Sequence, residues 1–62
     1  METGEKIKKF RLNAGLTRKQ LAEAIGITED GLFKIEKGDR NPAFELVRKI
    51  ANVLKISLDE LK

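Results

Sequence analysis

Two helix stops, each followed at once by a helix start, constrain this chain more than any other feature. Gly15-Leu16-Thr17 and Gly26-Ile27-Thr28 each set a glycine where a left-handed C-terminal cap prefers it. Two residues later each supplies a threonine suited to an N-cap. Between these punctuation marks the apolar residues recur with helical period. Ile7, Phe10 and Ala14, interleaved with Lys8, Lys9 and Asn13, predict an amphipathic helix over about 4–14. Thr17-x-x-Gln20 is a capping box opening a second helix whose inward stripe is Leu21, Ala22 and Ile25. Leu32 and Ile35 line a third helix, closed by Gly38. No segment alternates with period two, so no strand is predicted.

The cluster Asp39-Arg40-Asn41-Pro42 is turn-forming. Asn41 suits an N-cap, with Pro42 at the first helical position. Phe44, Val47, Ile50, Ala51 and Leu54 keep helical spacing to about 55, and Ser57-x-x-Glu60 reads as a second capping box opening a last short turn with Leu58 and Leu61. The prediction is an all-α domain of five compactly packed helices over 1–62. Both ends belong to the fold, and a helix–turn–helix spans about 17–37.

Composition narrows the function. The chain lacks cysteine, histidine, tyrosine and tryptophan, and Ser57 is its one serine. No zinc, haem or iron–sulfur ligand set is available, so no metal or cofactor is expected. The paired carboxylates Glu29–Asp30 and Asp59–Glu60 sit at helix starts, where negative charge complements the helix dipole. With no base, nucleophile and orienting group to assemble, the chain is not expected to be an enzyme. Its longest apolar runs fall far short of the ~18 residues of a membrane span, and no secretory signal is expected. A cytoplasmic protein without a membrane partner is expected.

The net charge of +3 is unevenly spread. Residues 1–19 carry +4, residues 20–36 carry −3 and residues 37–49 carry +2. A mild positive excess is compatible with a nucleic-acid partner without requiring one.

Several short motifs occur in order: Ile7-x-x-Phe10-Arg11, Gln20-Leu21-Ala22, Ile25-Gly26-Ile27, Ile35-Glu36-x-Gly38, Asn41-Pro42, Ile50-Ala51-x-x-Leu54 and Ser57-Leu58-Asp59-Glu60-Leu61. In this order and spacing the chain resembles the Cro/C1-type (Xre-like) helix–turn–helix family of phage repressors and bacterial regulators. The resemblance implies a lambda-repressor-like five-helix domain that binds double-stranded DNA, commonly as a homodimer on a near-palindromic operator. It also implies a repressor associated with the nucleoid when bound, its second motif helix lying in the major groove. Arg11 and Glu36 match a family ion pair across the core, a structural role.

Base-reading candidates carried over from the family are Glu29, Asp30 and Lys34, with Gly31 and Phe33 also near the groove. Lysine can donate to guanine, a carboxylate can accept from cytosine, and an aromatic ring can touch a thymine methyl. Phosphate candidates are Thr17, Arg18, Lys37, Arg40 and Asn41. The chain departs from the family pattern where its third helix opens with Glu29-Asp30 and carries Phe33 in place of a small polar residue. Two alternatives stay open on the residues alone. The same face can serve as a protein-interaction surface, or the chain can be an engineered form of the scaffold without operator binding.

Overall fold

The computed structural model describes residues 3–61, which form α1 (Thr3–Asn13), α2 (Arg18–Ile25), α3 (Glu29–Lys37), α4 (Phe44–Leu54) and a closing 3-10 turn (Leu58–Leu61). Met1, Glu2 and Lys62, on which the expectation of ordered ends partly rests, lie outside the described residues. Among the described residues there is no strand. The five predicted helices are four α-helices and a 3-10 turn, the last closed by an i→i+3 bond from the Glu60 amide to the Ser57 carbonyl.

Local chemistry sets the middle of the chain as anticipated. The Thr17 hydroxyl accepts from the Gln20 amide at 3.0 Å, and the Gln20 side-chain oxygen accepts from the Thr17 amide at 2.8 Å. Thr28 caps α3 by accepting from the Gly31 amide at 3.0 Å. Gly26 and Gly38 end α2 and α3 with φ of 80° and 91°, a left-handed conformation that costs glycine nothing sterically.

Packing revises the predictions at both ends. Ala14 lies exposed in the turn after α1, and the inward stripe of that helix is Gly4, Ile7 and Arg11. An arginine thus occupies the position one turn beyond Ile7. Gly4 is buried where the first turn of α1 crosses α3, and a β-carbon there would collide with the Ile35 carbonyl oxygen.

The start of α4 also moves. Ala43, which has no side-chain acceptor, is the N-cap, and Phe44 is the first helical residue. Asn41 is therefore not the cap, nor is Pro42 the first helical position. Proline holds its predecessor in extended backbone, and Pro42 itself is half-buried in a cleft shared with Ile35, Val47 and Leu58. Phe44, expected on the inner stripe, is 61% exposed.

At the other end of α4, Lys55 takes the left-handed cap position with φ 58°. The predicted capping box at Ser57 does not form. Ser57 Oγ accepts from the Asp59 amide, while the Glu60 amide bonds the Ser57 carbonyl in the 3-10 pattern.

The core sits between all five elements. Ile7, Leu21, Leu32, Ile35, Ile50 and Leu61 are fully buried, so α1, α2, α3, α4 and the closing turn each contribute to it. Phe10, Leu16, Ile27, Leu46, Val47 and Leu58 pack around its edge. The consequence for function is rigidity in one place. α2 and α3 are held against α1 and α4 by their inner faces, leaving their outer faces clear.

Candidate nucleic-acid interface

α3 divides cleanly into two faces. Gly31, Leu32, Ile35 and Glu36 are buried, and Glu29, Asp30, Phe33, Lys34 and Lys37 point outward. Of the five base-reading candidates, four share the outward face. Gly31 does not. It is covered by the Thr28 hydroxyl and the Arg40 guanidinium, and an added β-carbon would stand 3.1 Å from Thr28 Oγ1 and 3.5 Å from Arg40 Nη1. Gly31 is closely packed at the helix start, where an alanine methyl would press on the Thr28 hydroxyl by a few tenths of an ångström.

Asp30 and Lys34, one helical turn apart, are joined at 3.2 Å from Oδ2 to Nζ. Both side chains are about half or more in solvent, so the pair is worth only ~0.3–0.5 kcal/mol and opens readily. Glu29 stands at the solvent-exposed start of α3.

The face is anchored from within by Glu36. Its Oε2 accepts from Arg11 Nε at 2.7 Å, and its Oε1 accepts from Arg11 Nη2 at 3.3 Å and from Arg18 Nε at 3.2 Å. Arg11 Nη1 donates to the Leu16 carbonyl at 2.9 Å. One carboxylate therefore joins the end of α1, the start of α2 and the end of α3. Among the described residues no buried side-chain polar atom lacks a partner. The second arginine was not legible as a Glu36 partner, because Arg18 and Glu36 lie on different helices with no spacing rule between them.

The phosphate candidates divide by what they already do. Thr17 Oγ1 and its amide are both engaged in the capping box, which leaves the amides of Arg18 and Lys19 as the open donors at the start of α2. Arg18 lies over the Phe33 ring at 4.9 Å, and Lys37 Nζ lies over the same ring at 5.3 Å while pairing with Asp39 Oδ2 at 3.1 Å. Arg40 and Asn41 are exposed in the connection after α3, at the edge of a cleft of about 390 Å³ lined by Ile35, Pro42, Phe44, Val47 and Leu58. No group of three or more acidic residues among the described residues gathers as a metal site. None of the described helices is long and apolar enough to cross a membrane.

Two helices crossing over a Gly-x-Thr turn, with the second presenting a polar outer face, define a helix–turn–helix domain. The family model described as "Helix-turn-helix" matches residues 7–61, and the chain belongs to that family, in its Cro/C1-type branch. It is 41% identical over 58 residues to the uncharacterized HTH-type transcriptional regulator YazB of Bacillus subtilis (strain 168), covering 94% of this chain and 84% of that protein. The fold superposes on the restriction-modification controller protein C.AhdI of Aeromonas hydrophila with a TM-score of 0.91. There the identity is 28%, and 97% of this chain and 87% of that one are covered. It superposes on the biofilm master regulator SinR in complex with DNA with a TM-score of 0.88, at 32% identity and 95% of each chain.

Proposed function

We propose that this protein is a sequence-specific double-stranded DNA-binding transcriptional repressor of the cytoplasm. It binds as a homodimer to a near-palindromic operator, with α3 in the major groove. The observation that carries the reading is the outward face of α3, which presents Glu29, Asp30 and Lys34, with Arg18 from the start of α2 sharing a hollow with Glu29, Asp30 and Phe33. Its likeness to SinR, solved with DNA bound, supports the same placement.

The acidic start of α3 fits a groove if its charge is matched there. Lys34 neutralises Asp30, and together they form a donor–acceptor couple 3.2 Å apart. A G·C pair offers the complementary couple, the guanine O6 acceptor and the cytosine N4 donor, separated by one N–H···O bond of about 2.9 Å. Glu29 accepts from a neighbouring cytosine on the same logic. Arg18, Lys37, Arg40 and Asn41 contact phosphates and fix register.

The second copy docks where apolar surface is left over. Leu61 is 1% exposed and belongs to the core, so it is no part of that surface. Phe44, with half-buried Pro42, Val47 and Leu58 lining the same cleft, supplies it instead. In the dimer the two α3 helices lie about 34–36 Å apart, one turn of B-DNA.

Selection from a random duplex library tests the function. A short near-palindrome is expected to be enriched, with binding that weakens steeply as salt rises. Failure to enrich any duplex at low salt, with the protein shown folded by circular dichroism, overturns the reading and favours the protein-interaction alternative.

A further inference from the structure

We propose that Phe33 is a positioning residue for phosphate contact rather than a reader of bases. It holds Arg18 of α2 and Lys37 of α3 over its ring, in place for the DNA backbone. The proposal rests on the DNA-binding function above and assigns a role that the outward position of Phe33 alone does not give.

Three observations converge. Both cations lie within cation–π range of the ring, Arg18 at 4.9 Å and Lys37 at 5.3 Å. Arg18 is held a second time by Nε, which donates to Glu36 Oε1 at 3.2 Å, and Glu36 is itself fixed by buried Arg11. Lys8 joins Arg18, Phe33, Glu36 and Lys37 around a small hollow of about 90 Å³. Glu36 is matched by Arg11 and Lys37 has Asp39, so Arg18 and Lys8 leave the hollow with positive charge in excess.

Long cationic side chains lose rotamer freedom when they bind. A cation already resting on a ring has lost much of that freedom before DNA arrives, which is the physical content of preorganisation. Arg18 is suited to this role because Nε faces inward to Glu36 while the terminal nitrogens remain available as donors. Phe33 joins the two helices of the motif through their cations, so the phosphate contacts of α2 and α3 are set relative to one another.

The competing role for Phe33 is contact with a thymine methyl, and the two roles differ in what the DNA must contain. Wild type, Phe33→Leu and Phe33→Tyr are titrated against the duplex selected from the random library, the same duplex with uracil at every thymine, and a random-sequence duplex. If Phe33 positions cations, Phe33→Leu weakens the selected and random duplexes alike, about five- to tenfold. Its salt slope becomes shallower, Phe33→Tyr restores both, and uracil makes no difference to wild type. In the free protein, proton NMR shows ring-current upfield shifts on the Arg18 and Lys37 side chains that vanish in Phe33→Leu and persist in Phe33→Tyr.

The proposal is overturned if Phe33→Leu, folded by circular dichroism, binds as wild type does. It is also overturned if uracil weakens wild type but not Phe33→Leu, which makes Phe33 a methyl reader. Absent ring-current shifts overturn it without any DNA. A wild type that binds no duplex removes the DNA-binding function itself, and the proposal with it.

Discussion

Arg11 and Glu36, twenty-five positions apart in sequence, meet inside the protein with Nε donating to Oε2 across 2.7 Å. Both residues are almost fully buried, at 5% and 6% exposure. A buried ion pair is weak evidence for net stability, yet removing one member strands the other. Here the stranding is unequal, because Glu36 has Arg18 as a second partner while Arg11 keeps only the Leu16 carbonyl.

Glu36→Ala is expected to destabilise the domain by about 3–5 kcal/mol in urea titration, and Arg11→Ala by less, because Arg18 still partners Glu36. Arg18→Ala, which leaves the buried pair intact, is expected to cost under ~1 kcal/mol. The Arg11/Glu36 double variant should lose clearly less than the sum of the singles; simple additivity would mean the pair does not act as a unit.

Gly4→Ala tests the crossing of α1 and α3. Helix propensity alone favours alanine by about 1 kcal/mol. Against the carbonyls of Ile35 and Glu36, however, a methyl group forces the helices apart, and overpacking of this kind costs about 1–3 kcal/mol. A lowered Tm is expected. An increase would show that the start of α1 moves freely off α3.

Lys55 is the one described non-glycine residue with positive φ. The left-handed region costs an ordinary residue about 1–2 kcal/mol, which glycine avoids at some entropic cost of its own. Lys55→Gly is therefore expected to stabilise the domain by about 0.5–1 kcal/mol, read as a rise in Tm of several degrees. Unchanged or lowered Tm would place the helix end elsewhere.

Leu61 and Phe44 separate folding from assembly. Leu61→Ala opens a core cavity and should cost about 2–5 kcal/mol of stability. Phe44→Ala removes an exposed ring and should leave stability within about 0.5 kcal/mol. Sedimentation on the selected duplex should then show Phe44→Ala losing the two-to-one complex. If Phe44→Ala assembles normally, the second copy docks on another face.

Base readout and backbone contact give different signatures. Lys34→Ala and Asp30→Ala should each relax preference at the same G·C pair, a loss of about 1–3 kcal/mol of discrimination measured by competition between duplexes. Arg40→Ala should instead weaken all duplexes alike and flatten the salt slope by about one. Relaxation at two unrelated base pairs would separate Asp30 from Lys34 in the groove.

Neighbours along the chain set the local structure of this protein. Gly26, Thr28 and the Thr17–Gln20 box act within one helical turn, so their chemistry is written in local spacing and survives folding unchanged. The stripe of α2, and that of α3 at Leu32 and Ile35, likewise follows from period alone. Whatever depends on residues meeting from different elements was set by packing in three dimensions. That packing buried Arg11 one turn beyond Ile7 while leaving Ala14 exposed, and gave Glu36 two arginines rather than one. It turned Phe44 outward, off the inner stripe that period gives it, and set Leu61 fully in the core. It also covered Gly31 with Arg40 and laid Arg18 and Lys37 over Phe33. Burial and ion pairing are set by distances in space, and a chain read in one dimension holds only the distances along itself.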